Sequence, residues 1–197
     1  MPQSRKVVIT KTRSLHTYAE LWLASNFLLH VGVRTPQGAA NQFLASLLLT
    51  AFSFEAYLNH IGPESLACWD EVERLPPLAK LELLAETLGV QLPKSVGRRP
   101  LQTVHKLFAF RNSVAHGRSS ELTYKPAIRS TRNYEQELFE PLLADWEKLA
   151  RSSDFAVRAR EDVEAVLQLL QAGRKNPTEN LFTTGTGSGS ASLENAP

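Results

Sequence analysis

Cysteine is nearly absent: Cys68 is the single one among 197 residues. One thiol excludes an internal disulfide and any multi-cysteine zinc site, and it fits a reducing compartment. Glycine and proline number only 10 and 11, too few for a collagen-like or low-complexity chain. No apolar run approaches the ~18–20 residues that span a bilayer. The longest, residues 43–52, is interrupted by Ser46 and Thr50. The N-terminal stretch MPQSRKVVITKTRS has charge but no apolar core segment, which argues against a secretory signal. Metal-binding and nucleotide-binding patterns are missing as well. His16, His30, His60 and His105 are scattered without ligand spacing, and there is no P-loop. The GTGSGS run near the C-terminus follows no strand and opens no helix. These absences lead to an expected soluble, cytoplasmic protein with no metal, no cofactor and no membrane partner.

Apolar residues make up 43% and charged residues 21%, enough for one domain with a real core. The net charge of +2 is unevenly spread. Residues 1–13 form a basic arm with Arg5, Lys6, Lys11 and Arg13. Residues 94–132 hold nine basic side chains against Glu121 alone, a net +8. The segments 14–93 and 133–173 each carry −5. A basic window inside a near-neutral chain points to an anionic partner. The plainer reading is that its charges are scattered and solvated.

Helical periodicity predominates, and no convincing strand or repeat is visible. The expected helices cover about 14–31, 39–61, 64–75, 78–88, 101–115, 134–151 and 154–172. The second ends at Gly62-Pro63, and the sixth is kinked near Pro141. Gly117 is expected to cap the fifth. Residues 118–133 read as a basic loop, with a short extended piece at 121–124. Trp22, Trp69 and Trp146 fit helix packing better than base stacking. The fold class is therefore all-α, a bundle of four to six main helices over 14–173. Residues 174–197 have no apolar face to bury and are expected to be a disordered, dispensable tail.

Two charges sit in the wrong place. On the second helix Leu44, Leu48, Ala51, Glu55 and Leu58 share one arc, with Asn59 at its edge. On the fifth, Val104, Leu107, Phe108, Arg111 and Ala115 share another. A carboxylate and a guanidinium on apolar faces are costly unless paired, so Glu55 and Arg111 are expected to meet. The alternative is that each reaches water by snorkelling. His116 follows Arg111 by five residues, about 140° around a helix, with Asn112 between them in angle. A guanidinium, an amide and an imidazole at the edge of an apolar surface make a plausible phosphate site.

Arg111-Asn112-x-x-x-His116, within FRNSVAHG, resembles the Arg-polar-x(3–5)-His motif of the HEPN superfamily (higher eukaryotes and prokaryotes nucleotide-binding domains). The upstream helix LLLTAFSFEAYLNHIG resembles the acidic helix of many members. The resemblance spans about residues 14–172. It implies a HEPN-like bundle that forms a homodimer, with two motifs facing one cleft, and metal-independent RNA cleavage. Arg111 and His116 would be catalytic, with Asn112 the polar residue beside them. Glu55 would orient Arg111, and Asn59 would support it. Lys106, Arg118, Lys125, Arg129 and Arg132 are candidates for holding flanking phosphates. By analogy the protein is a toxin or defence effector restrained by an antitoxin or regulatory protein. Some members are inactive, so a nucleotide- or RNA-binding or assembly module is the alternative. A plain helical scaffold is a third reading.

Overall fold

The computed structural model describes residues 7–93, 97–123, 138–175, 177 and 180–193. Among these, the elements are β1 (Val7–Arg13), α1 (Thr17–Arg34), α2 (Ala39–Ser65), α3 (Trp69–Val72), α4 (Pro77–Thr87), α5 (Leu101–Ala115), α6 (Asp145–Ala150), α7 (Ser153–Gly173) and β2 (Gly187–Leu193). The protein is mostly helical. No helix among the described residues is long and apolar enough to cross a membrane.

α2 is the central element, with α1, α4, α5 and α7 packed on it. Its Phe54, Tyr57, Leu58 and Ile61 are fully buried. They meet Val104 and Leu107 of α5, Leu84 of α4 and Val163, Val166, Leu167 and Leu170 of α7 in one core. Each fully buried aliphatic or aromatic side chain of this kind contributes about 1.5–3 kcal/mol. The seam between α1 and α2 is small and polar. Ser25 Oγ donates to the Ser46 carbonyl at 2.9 Å, Ser46 Oγ returns a bond to the Ser25 carbonyl at 2.9 Å, and Ser53 Oγ donates to the Tyr18 carbonyl at 2.7 Å. Small hydroxyl residues let the backbones approach, and these three hydroxyls each find an acceptor.

Four expected helices differ by more than a residue in their bounds, the first being α1, which runs Thr17–Arg34 rather than 14–31. α2 does not stop at Gly62-Pro63 but continues to Ser65. A proline this close to a helix end removes only one hydrogen bond. The Trp69 indole also lies directly on Gly62, where any Cβ would overlap the ring. The residues expected to form one helix over 64–75 yield only the four-residue α3. Beyond Pro141 the chain is irregular until Asp145, and Glu147 Oε2 accepts from the Ala144 N–H at 2.8 Å to start α6. Residues 124–137 lie outside the described residues, and 121–123 are irregular.

The expectation of a strandless chain is corrected, and for the described residues 180–193 so is that of a disordered tail. β1 and β2 pair antiparallel from Val7–Leu193 to Arg13–Gly187. β1 is rich in β-branched residues, which suit a pleated ribbon. β2, GSGSASL, has no such preference; its partner supplies the ladder. The ribbon is continuous with a docked segment. Gly185, at φ 103, turns the chain so that Ser14 N–H reaches the Thr186 carbonyl at 2.8 Å. His16 Nδ1 donates to the Thr183 carbonyl at 2.8 Å. Phe182 stacks on Trp22 at 4.3 Å, and the Arg160 guanidinium lies 3.8 Å from the same ring. Two groups that close to one ring require opposite faces, so Trp22 is sandwiched. Burial lowers the Arg160 pKa to about 10, which leaves it charged at neutral pH.

Candidate functional site

The two misplaced charges meet. α2 presents Glu55 and α5 presents Arg111, and Arg111 Nη2 donates to Glu55 Oε2 at 3.0 Å. Each side chain is about one quarter exposed, at 24% and 23%. The pair therefore lies at the rim of the core rather than inside it. Arg111 Nη1 donates to Asn112 Oδ1 at 3.0 Å, and the guanidinium lies 5.7 Å from the Phe52 ring centroid. Arg111 Nε is buried and has no hydrogen-bond partner among the described residues.

A third charge joins them from α4. Lys80 is 1% exposed, yet its ammonium reaches Glu55 Oε1 at 3.2 Å and Asn59 Oδ1 at 2.8 Å. Glu55 thus accepts from a different cation at each oxygen. Asn59 touches Lys80 in this arrangement, and reaches Arg111 only through Lys80 and Glu55. One carboxylate between two cations leaves the cluster with an excess of one positive charge. Lys80 meets part of the test that singled out Glu55, although a lone lysine on a stripe ordinarily snorkels. It falls on the apolar stripe of its own helix, with Leu81, Leu84 and Ala85 buried beside it. Phe52 carried no comparable signal, since an aromatic on α2 reads as core and only the fold leaves it 39% exposed.

His116 is the residue that ends α5, and its backbone N–H still bonds the Asn112 carbonyl at 2.9 Å. Its imidazole is exposed and makes no side-chain hydrogen bond among the described residues. The cap is His116 itself, with Gly117 continuing the chain away from the helix. Arg111, Asn112 and His116 therefore share the exposed C-terminal end of one helix. Arg118 is exposed just beyond it. Lys106 is exposed but faces elsewhere. Its ammonium lies 5.3 Å from the Phe155 ring of α7. The hydrogen bond from Lys148 holds the Asp145 carboxyl below its ordinary pKa, and the nearby charge of Lys106 adds to this. Lys106 and Arg111 thus point to different sides of α5. Lys125, Arg129 and Arg132 lie outside the described residues.

A hollow of about 620 Å³ lies apart from this cluster, between the α1–α2 turn and the start of α7, lined by Pro36, Gly38, Asn41 and Arg151 among others. No group of three or more His, Cys, Asp and Glu side chains among the described residues is placed to hold a metal ion. The arrangement on α5 can do two things chemically. The guanidinium can bind or stabilise phosphate charge, and the open imidazole can exchange protons with whatever docks beside it. Comparison of the chain with family models, with curated proteins and with solved structures finds no match.

Proposed function

We propose that the chain is a HEPN-type, metal-independent endoribonuclease in which Arg111 and His116 act on RNA. The observation that carries the reading is the arrangement of the Arg111 cluster, two basic side chains on one carboxylate, with an exposed His116 at the end of the same helix. Arginine presents a planar fork suited to phosphate oxygens. RNA brings its own nucleophile, so neither a metal nor a protein nucleophile is needed. The 2′-oxygen attacks the adjacent phosphorus, its proton passes to an imidazole, and the P–O5′ bond breaks as a second imidazole protonates the leaving oxygen. The products are a 2′,3′-cyclic phosphate and a 5′-OH. Arg111 stabilises the charge on the pentacovalent phosphorane. A homodimer with two-fold symmetry supplies both imidazoles, and Arg118 with Lys125, Arg129 and Arg132 holds flanking phosphates. The protein is then a cytoplasmic toxin or defence effector, restrained by an antitoxin or regulatory partner.

The test is incubation of the pure chain with total RNA in excess EDTA, beside His116→Ala. Cleavage should persist in EDTA, and His116→Ala should slow it by about two to four orders of magnitude while RNA binding survives. An all-2′-deoxy oligonucleotide should bind and remain uncut. Light scattering should give about twice the 21.9 kDa chain mass. Cleavage of the deoxy substrate at the RNA rate overturns the mechanism. RNA binding without cleavage turns the reading to a non-catalytic binding module.

A further inference from the structure

Lys80 lies outside the motif on α5, comes from another helix and is more deeply buried than any other charged residue that touches the cluster. Burying an ammonium costs stability even when it is paired, and an apolar side chain of similar volume often folds as well. Folding alone therefore does not call for a lysine at this position. Its effect appears in the carboxylate it holds. A carboxylate facing a guanidinium tends to form two parallel N–H···O bonds. Here Glu55 forms only one, through Oε2 to Arg111 Nη2 at 3.0 Å, because Oε1 is held by Lys80 at 3.2 Å. Asn59 fixes the ammonium from its other side at 2.8 Å. The remaining guanidinium donors are lightly used. Nη1 meets only the exposed Asn112; Nε meets nothing among the described residues but is buried, so the Nη groups are the donors an anion would reach.

We infer that Lys80 is a positioning residue that keeps Glu55 in single-point contact with Arg111 and so leaves the guanidinium able to bind a phosphate. Without the ammonium, Glu55 turns its second oxygen onto Arg111, closes the fork and neutralises the charge that an anion would meet. Lys80 acts through Glu55 and needs no contact with the phosphate. The inference rests on the reading above only in taking Arg111 as the phosphate contact.

The experiment titrates inorganic phosphate into the full chain and follows the Arg111 Nε–H signal by NMR. Lys80→Met should raise the phosphate Kd about tenfold, as expected for losing one charge-assisted bond. Glu55→Gln removes the charge and leaves a single acceptor oxygen, so no fork can close. In that background Lys80→Met should change Kd by no more than about twofold. A merely structural lysine would not show this dependence on residue 55. Lys80→Met with wild-type affinity overturns the inference. The same tenfold loss in the Glu55→Gln background also overturns it, since Lys80 would then act by its own charge. Should Lys80→Met fail to fold, Lys80→Leu takes its place with the same expected loss, and Glu55→Gln against its double variant still tests whether Lys80 acts by its own charge. A wild-type chain with no phosphate response at Arg111 overturns the inference as well. If the phosphate effects hold but RNA stays intact, the ribonuclease reading falls and this inference stands.

Discussion

In Glu55→Ala, the stranded charge that matters most is Lys80. Arg111 keeps nearly a quarter of its surface in water and can turn outward, whereas Lys80 is 1% exposed and retains only Asn59. Removing one partner of a buried ion pair costs about 3–5 kcal/mol, and Lys80 meets that condition more fully than Arg111. Glu55→Ala should therefore unfold at a distinctly lower temperature, with Glu55→Gln milder because one acceptor remains. Adding Lys80→Met to Glu55→Ala should recover much of the loss. Equal melting of Glu55→Ala and wild type would show that the carboxylate does not balance the lysine. The Glu55–Arg111 contact was legible because a charge in an apolar arc must find a partner. The third member was missed because a lone lysine on a stripe is ordinarily a snorkelling one. Only the packing of α4 on α2 keeps its head from water.

Helices reveal their ends when the stop is local, and conceal them when it is tertiary. α5 runs from Leu101 to Ala115 as the sequence predicts, between Pro100 and the His116-Gly117 turn. α2 outruns its apparent stop, and there the Trp69 ring covers Gly62, a contact no local rule supplies. That contact gives a prediction. Gly62→Ala improves helix propensity by up to about 1 kcal/mol, yet its Cβ would overlap the indole, and overpacking typically costs about 1–3 kcal/mol. The net effect should be a melting temperature lower by a few degrees. A more stable Gly62→Ala would mean that the Trp69 ring moves aside freely. Among its described residues, the expected sixth helix is interrupted by a local stop instead. Pro141 restricts the residue before it and cannot donate, so helix resumes only where Glu147 can cap Ala144.

Across the whole molecule, the largest departure from the sequence lies at its two ends. A Gly/Ser-rich run has no burial to offer, and composition alone reads it as disorder. What composition does not show is that the opposite end holds a β-branched strand able to pair with it, and that Phe182 lies within reach of Trp22. Removing residues 176–197 deletes that stack, the His16–Thr183 bond and the whole of β2. It leaves Arg174 bonded to Gln171 and Glu64, so the end of α7 stays anchored. An aromatic pair contributes about 0.5–1.5 kcal/mol beyond its area, and the apolar surface of Trp22 exposed on one face adds to this. At about 2–4 °C per kcal/mol for a chain of this size, truncation should lower the melting temperature by several degrees. Phe182→Ala alone should account for much of that shift, because β1 is exposed along its whole length and isolated two-stranded ribbons are marginal. Truncation should have a second effect that Phe182→Ala lacks. It leaves β1 unpaired, with Val7, Val8 and Ile9 already 46%, 53% and 60% exposed, and such an edge invites pairing between copies. Concentration-dependent light scattering should therefore rise for the truncated chain and stay flat for Phe182→Ala. Wild-type melting and scattering in the truncated chain would show that the C-terminal segment does not dock on the bundle in solution.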